Sequence, residues 1–203
     1  MIGTSGRSEY PHKASNMITL VPYNPHWPSY FEDIAKRIKE ALQDRALFIH
    51  HIGSTSVPGM AAKDVIDVQV TVTHLDKALV PLLEKAGFTY WEHITRDHRP
   101  PGRDDIPEAG LTKMYFGRRT GQAVNLHIRV AHSFNQRYPL LCRDYLRAHP
   151  HAASAYEEVK RQLARHFPND ADAYYNIKDP VFDLIMEGAY IWAKKIGWEP
   201  AQG

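Results

Sequence analysis

Residues 50–72 read HHIGSTSVPGMAAKDVIDVQVTV, and this stretch decides how the chain folds. A strand-like run ends at Gly53, a Gly53-Ser54-Thr55-Ser56 turn follows, and Val65–Val72 then alternates with a period of two. Successive side chains of a strand point to opposite faces. Ile66, Val68, Val70 and Val72 therefore form an apolar face, which predicts packing on a core. Val65, Asp67, Gln69 and Thr71 form the other, mostly polar face. The glycine turn lies one short connection ahead of Asp67. Glycine permits close backbone approach to an anion, and exposed N–H groups with hydroxyls at Ser54 and Ser56 favour phosphate. No Gly-Lys-Ser/Thr follows the turn, so a P-loop is excluded.

Further along, Val124–Val130 repeats the arrangement. Val124, Leu126, Ile128 and Val130 point one way, and Asn125, His127 and Arg129 the other. In one sheet, the two strands would line a single surface with Asp67, Gln69, Asn125, His127 and Arg129. The alternative is a polar face simply turned to solvent.

The remaining elements follow from periodicity and punctuation. Ile18–Val21 reads as a short strand. Asn24 caps a helix whose apolar residues are Phe31, Ile34, Ala35, Ile38 and Leu42. Ala46–Ile52 reads as a strand. Leu75, Leu79, Leu82, Leu83 and Ala86 form a helical stripe stopped by Gly87, followed by a short strand at Phe88–Trp91. Arg96–Gly110 holds Pro100, Pro101, Pro107 and several charges, and is expected to be a functional lid. Lys113–Gly117 pairs with the later strand around Thr120-Gly121. From Asn135 the pattern is helical, with a stripe at Tyr156, Val159, Leu163 and Phe167. A second stripe follows at Phe182, Ile185, Ala189, Trp192 and Ile196, with Pro180 near its start. The expected class is α+β: a mixed or antiparallel β-sheet flanked by helices, then a helical C-terminal third.

Composition sets bounds on function. The chain has 203 residues, 43% hydrophobic and 24% charged, as expected of one globular domain. Its formal charge is only +2, so no basic field points to nucleic acid. Its single cysteine, Cys142, excludes an intramolecular disulfide and a Cys-based zinc site, and fits a cytoplasmic setting. No apolar run approaches the roughly 20 residues of a membrane span. Residues 1–16 are polar and are expected to be a flexible tail, not a secretory leader, ahead of one domain over residues 17–198. The twelve histidines show no HExxH spacing.

Several motifs together resemble the GrpB-like family, whose fold is placed in the nucleotidyltransferase superfamily. They are LVPYNPHW at 20–27, HIGSTSVPG at 51–59 with Lys63 and Asp67, and NLH at 125–127. Further matches are RDYLRAHP at 143–150, Tyr156 with Lys160, and Tyr174 with Lys178. The resemblance implies a nucleotidyltransferase-like sheet that binds a nucleotide, or another phosphate-bearing small molecule, together with a divalent metal. In that superfamily a Gly-Ser turn precedes an acid-x-acid pair on one strand, with a third acid on a neighbouring strand. Carried over, Gly53, Ser54, Thr55 and Ser56 match the turn and Asp67 the first acid. Gln69 stands where the second acid belongs and His127 where the third belongs, so Asp67, Gln69 and His127 are the expected catalytic positions. Asp67 and His127 are the expected metal ligands.

One carboxylate cannot neutralise two divalent ions. Magnesium or manganese is expected at an oxygen-rich site. Asp67 with His127, joined by His50, His51 or His98, would suit manganese, zinc or nickel. Lys63, Arg99, Arg143, Arg147, Lys160 and Lys178 are the expected phosphate contacts, with Arg103 also in the lid. Two functions follow from the resemblance. One is metal-dependent transfer of a nucleotidyl group to a small molecule. The other is a non-catalytic module, either an accessory in the CoA pathway or a His/Asp metal-binding protein. Domains similar to this one occur behind dephospho-CoA kinase in some bacteria.

Overall fold

Two buried parallel strands form the centre of the molecule, and everything else is arranged about them. A computed structural model describes residues 17–201. The tail expected at residues 1–16 lies outside the described residues. The sheet contains β1 (Phe48–Ile52), β2 (Val65–Val72), β3 (Thr89–Tyr90), β4 (Met114–Arg118) and β5 (Ala123–Val130). Its order is β1-β2-β5-β4-β3. β2 and β5 are parallel, and the other pairs are antiparallel, so the sheet is mixed.

The register of β2 on β5 decides what each face carries. Asp67 lies level with Asn125, Gln69 with His127 and Thr71 with Arg129. The apolar residues of both strands then share the opposite face. There they pack with α1 (Trp27–Leu42) and α2 (Leu79–Lys85) through Trp27, Ile34, Ile38, Leu42, Leu79 and Leu83. The alternation in sequence is therefore the alternation between two layers.

The polar face is not solvated. Gln69 is 0% exposed and bonded to Gln136 of the C-terminal helices, and Arg129 is 4% exposed and clamped by Asp97. These helices are α3 (Phe134–Ala148), α4 (Pro150–His166) and α5 (Ala171–Ile196). They share a second core built on Val57, Met60, Leu141, Cys142, Leu146, Tyr156, Met186 and Ala189. Its residues Val57 and Met60, just after the glycine turn, fasten the helical layer to the sheet. No helix among the described residues is long and apolar enough to cross a membrane.

Several boundaries differ from expectation. Ile18–Val21 forms no strand, and only Val21 bridges, to Ala62. β1 begins at Phe48, not Ala46, because Gln43 (φ 50°) and the turn after α1 still hold the chain. Leu75 precedes α2, where the Asp76 carboxylate accepts from the Ala78 N–H at 2.8 Å. Pro180 lies inside α5, which starts at Ala171 with the Asp170 carboxylate accepting from the Ala173 N–H. The expected lid is pinned. Arg96 bridges Thr112, Asp97 N–H donates to the Leu111 carbonyl, and Ile106 is buried. In this structure the segment forms a wall.

Gly53 is the sharpest constraint in the turn. Its φ of 71° with ψ of −175° is a conformation essentially reserved for glycine, and a Cβ there would overlap the Asp67 carboxylate. Gly53→Ala is expected to destabilise the protein by about 2 kcal/mol or more, read as a lower urea midpoint with an unchanged slope.

Candidate functional site

A cavity of about 940 Å³ lies between the polar face of the sheet, the 96–110 wall, the glycine turn and the C-terminal helices. That size is typical of a small-molecule site. At one end Asp67 sits beneath Gly53, and its carboxylate accepts from Asn125 Nδ2 at 2.7 Å. The carbonyl oxygen of Asn125 accepts from the Tyr115 hydroxyl at 2.6 Å and from Arg119 Nη2 at 3.0 Å. Burial raises the Asp67 pKa, opposed by the Asn125 hydrogen bond and by Lys63, Lys178 and Arg119.

Basic side chains surround this end. Lys63 donates to the Tyr175 hydroxyl and lies over its ring at 4.6 Å. Lys178 pairs with Asp179 at 2.7 Å and lies over Phe182. Lys160 donates to the Ala61 carbonyl at 2.6 Å, and burial pushes its pKa down to about 7. Burial also lowers Lys63, against the pull of Asp67.

The other end is built on Asp97, which the sequence pattern did not single out. Its carboxylate accepts from Arg129 Nε at 2.8 Å and Nη2 at 2.9 Å, from Lys113 Nζ at 2.6 Å and from Asn135 Nδ2 at 2.9 Å. Burial alone would raise its pKa, but Arg129 and Lys113 outweigh this and hold it well below the usual carboxylate range. Gln69 is fully engaged: its carbonyl accepts from Arg129 Nη1 at 2.7 Å and its NH₂ donates to the Gln136 carbonyl at 2.9 Å. His127 directs Nδ1 at Arg129 Nη2, 3.1 Å away, and at Lys113 Nζ, 3.4 Å away. Burial, then Arg129 and Lys113, hold its pKa well below the ordinary histidine value.

The expected site residues thus divide. Gly53, Ser54, Thr55, Lys63, Asp67, His127, Arg143, Lys160 and Lys178 line the cavity. Gln69 lies under its floor. Arg99 does not face it: its guanidinium is held by Glu108 and by the carbonyls of Arg103 and Ile106. Arg147 is turned to the Ser56 carbonyl, which accepts from Nε at 2.9 Å and Nη2 at 2.7 Å. Arg143 makes a similar bond to the His51 carbonyl at 3.0 Å. Two of the turn hydroxyls are used internally: Ser56 donates to the Gly53 carbonyl, and Thr55 contacts His51 Nε2.

The histidines expected to join Asp67 are elsewhere. His50 meets the Ala201 carbonyl, His51 stacks on Phe31, and His98 meets Asp183. Among the described residues no three His, Cys, Asp or Glu side chains are placed to hold a metal ion. Arg119, missed from sequence, reaches the site from the β4–β5 hairpin, where strand periodicity has already ended.

The profile of the family described as GrpB protein matches residues 17–188. This chain belongs to the GrpB family. The GrpB fold is also seen in the crystal structure of the conserved protein GrpB from Enterococcus faecalis. That structure is similar with a TM-score of 0.71 and 30% identity, over 89% of this chain and 100% of that one. A UPF0157 protein of Halalkalibacterium halodurans is 36% identical over 181 residues, 88% of this GrpB chain and 85% of that protein. A dephospho-CoA kinase of Mycolicibacterium paratuberculosis is 38% identical over 198 residues, 90% of this chain and 48% of the kinase. The chain therefore spans about half the length of the kinases it matches.

Buried histidines make the fold acid-sensitive. His127 and His51, the latter held at about 4 by burial and then Arg147, are neutral in the native state. Unfolded, each would protonate near pH 6.5. Stability is therefore full above about pH 6.5 and falls on acidification, by up to about 2 kcal/mol per group by pH 5. Urea unfolding at pH 7.5 and 5.0 should show this loss, and His127→Asn should remove part of it. Asp97→Asn should destabilise by about 3–5 kcal/mol at pH 7.5, because Arg129 and Lys113 lose a buried counter-charge.

Proposed function

We propose that this GrpB-family chain binds a phosphate-bearing small molecule, with a nucleotide as the leading class, in the cavity beneath the Gly53 turn. The observation that carries this reading is the lining charge. Lys63, Arg119, Arg129, Arg143, Lys160 and Lys178 line the cavity against the carboxylates Asp67, Asp97 and Asp179. A lining with that balance favours an anion, and a low-dielectric wall strengthens the attraction. The glycine turn followed by Asp67 on β2, with β5 beside it, supports a nucleotidyltransferase-like relationship.

The same geometry favours binding over nucleotidyl transfer. Asp67 offers one carboxylate. The Gln69 carbonyl oxygen accepts from Arg129, and His127 Nδ1 faces two cationic side chains. These donors do not fit a pair of divalent ions, which need several oxygen ligands each. In this reading the phosphate charge is met by Lys63, Lys178 and Arg119 in place of metal. Ser54, within the turn, lines the same space with its hydroxyl hydrogen-bonded to Tyr156.

Thermal unfolding against nucleoside mono-, di- and triphosphates, in chelator and in Mg²⁺, tests this. At about 100 times Kd a ligand adds about 2.7 kcal/mol, a rise of roughly 5–10 °C for a domain of this size. The rise should appear in chelator and disappear in Lys63→Ala/Lys178→Ala. A rise seen only with Mg²⁺ and removed by Asp67→Asn would replace the cationic reading with a metal site. No rise with any nucleotide would sink the nucleotide assignment.

A further inference from the structure

His127 makes its contacts in one direction only. Nδ1 faces Arg129 Nη2 and Lys113 Nζ, which carry hydrogens and no lone pair. Nδ1 must therefore accept, which leaves the ring proton on Nε2. The tautomer is fixed from behind. Arg129 is itself held by Asp97 through Nε and Nη2 and by Gln69 through Nη1. Asp97 is held in turn by Lys113 and Asn135. The ring plane is set by Tyr115, packed edge-on at a centroid distance of 5.0 Å. Nε2 makes no hydrogen bond among the described residues, and it is not sealed from solvent. It therefore opens into the cavity, which His127 lines.

We infer that His127 is a specificity-determining hydrogen-bond donor, whose Nε2–H receives an oxygen acceptor of the bound ligand. This rests on the reading of the cavity as a phosphate-ligand site and adds a second anchor to it. Asn125, level with Asp67, is two residues from His127 along β5. The Asp67 end and His127 are therefore about 7 Å apart along the strand, at about 3.3 Å per residue. The ligand class is narrowed accordingly. It carries a phosphate held beside Lys63 and Lys178, and a second oxygen acceptor further along the sheet at His127, as a polyphosphate chain or a nucleoside oxygen provides. The inference also reverses the role expected of His127. A metal at Nε2 would need that proton removed and the ring's Nδ1 contacts reorganised beside two cations.

Long-range ¹H–¹⁵N spectra of the full chain labelled at histidine read the tautomer directly, with the His127 signals assigned by their loss in His127→Asn. The expected result at pH 7.5 is protonated Nε2 and bare Nδ1. Inorganic tripolyphosphate and ATP, added in chelator, should each be tested for a shift at Nε2, and at least one should produce it. His127→Asn keeps an acceptor near Nδ1 but cannot reach the ligand, and should weaken that probe about 10-fold, the effect of one hydrogen bond. His127→Gln reaches the Nε2 position and should restore most of the affinity, provided its unfolding midpoint shows a folded protein. Protonated Nδ1, stoichiometric Mn²⁺ broadening of the His127 signals, or an Nε2 signal unmoved by either probe would overturn the inference. A shift with tripolyphosphate but with no nucleotide would retain it and remove the nucleotide reading instead.

Discussion

The parallel pairing of β2 with β5 is the constraint on which the rest depends. One register places Asp67 beside Asn125, Gln69 beside His127 and Thr71 beside Arg129. A slip of β2 by one residue against β5 would turn Asp67, Gln69 and Thr71 toward α1 and α2, and would expose Ile66, Val68 and Val70 to the cavity. The apolar face, with Ile66, Val68, Val70 and Leu126 all at 0% exposure, makes that slip prohibitive. The core on one side of the sheet thus holds the chemistry on the other in register.

This explains why the site was partly legible in the sequence. Alternation states which residues share a face, and it correctly grouped Asp67, Gln69, Asn125, His127 and Arg129. It does not state what covers that face, and so a solvated surface remained an alternative. Coverage depends on Val57, Met60 and the helical core, whose contacts are remote in sequence. Asp97 was missed for a related reason. It lies in an irregular wall with no period, and only the fold brings it to Arg129 and Lys113. Basic residues were the least readable. Arg99, Arg143 and Arg147 look like phosphate contacts in sequence, but a guanidinium serves a backbone carbonyl equally well.

The cavity has two ends of different character. Near Asp67, lysines hold charge beside a carboxylate whose ionisation burial opposes. Near Asp97, the carboxylate is fully committed to Arg129, Lys113 and Asn135. The acid positions expected of a metal-dependent transferase are thus replaced by an amide that braces an arginine and an imidazole that faces cations. In the proposed reading, these two side chains are what favour binding over nucleotidyl transfer in this chain.

Arg143 and Arg147 both reach from α3 to carbonyls flanking the glycine turn, at His51 and Ser56. With His98 also meeting Asp183 of α5, the turn, the wall and the helices are stitched to one another before any ligand arrives. The entropy of ordering the cavity rim is therefore met during folding, not during association. A ligand that matched the shape would bind without having to organise its own site, and a mismatched one would find little slack to exploit.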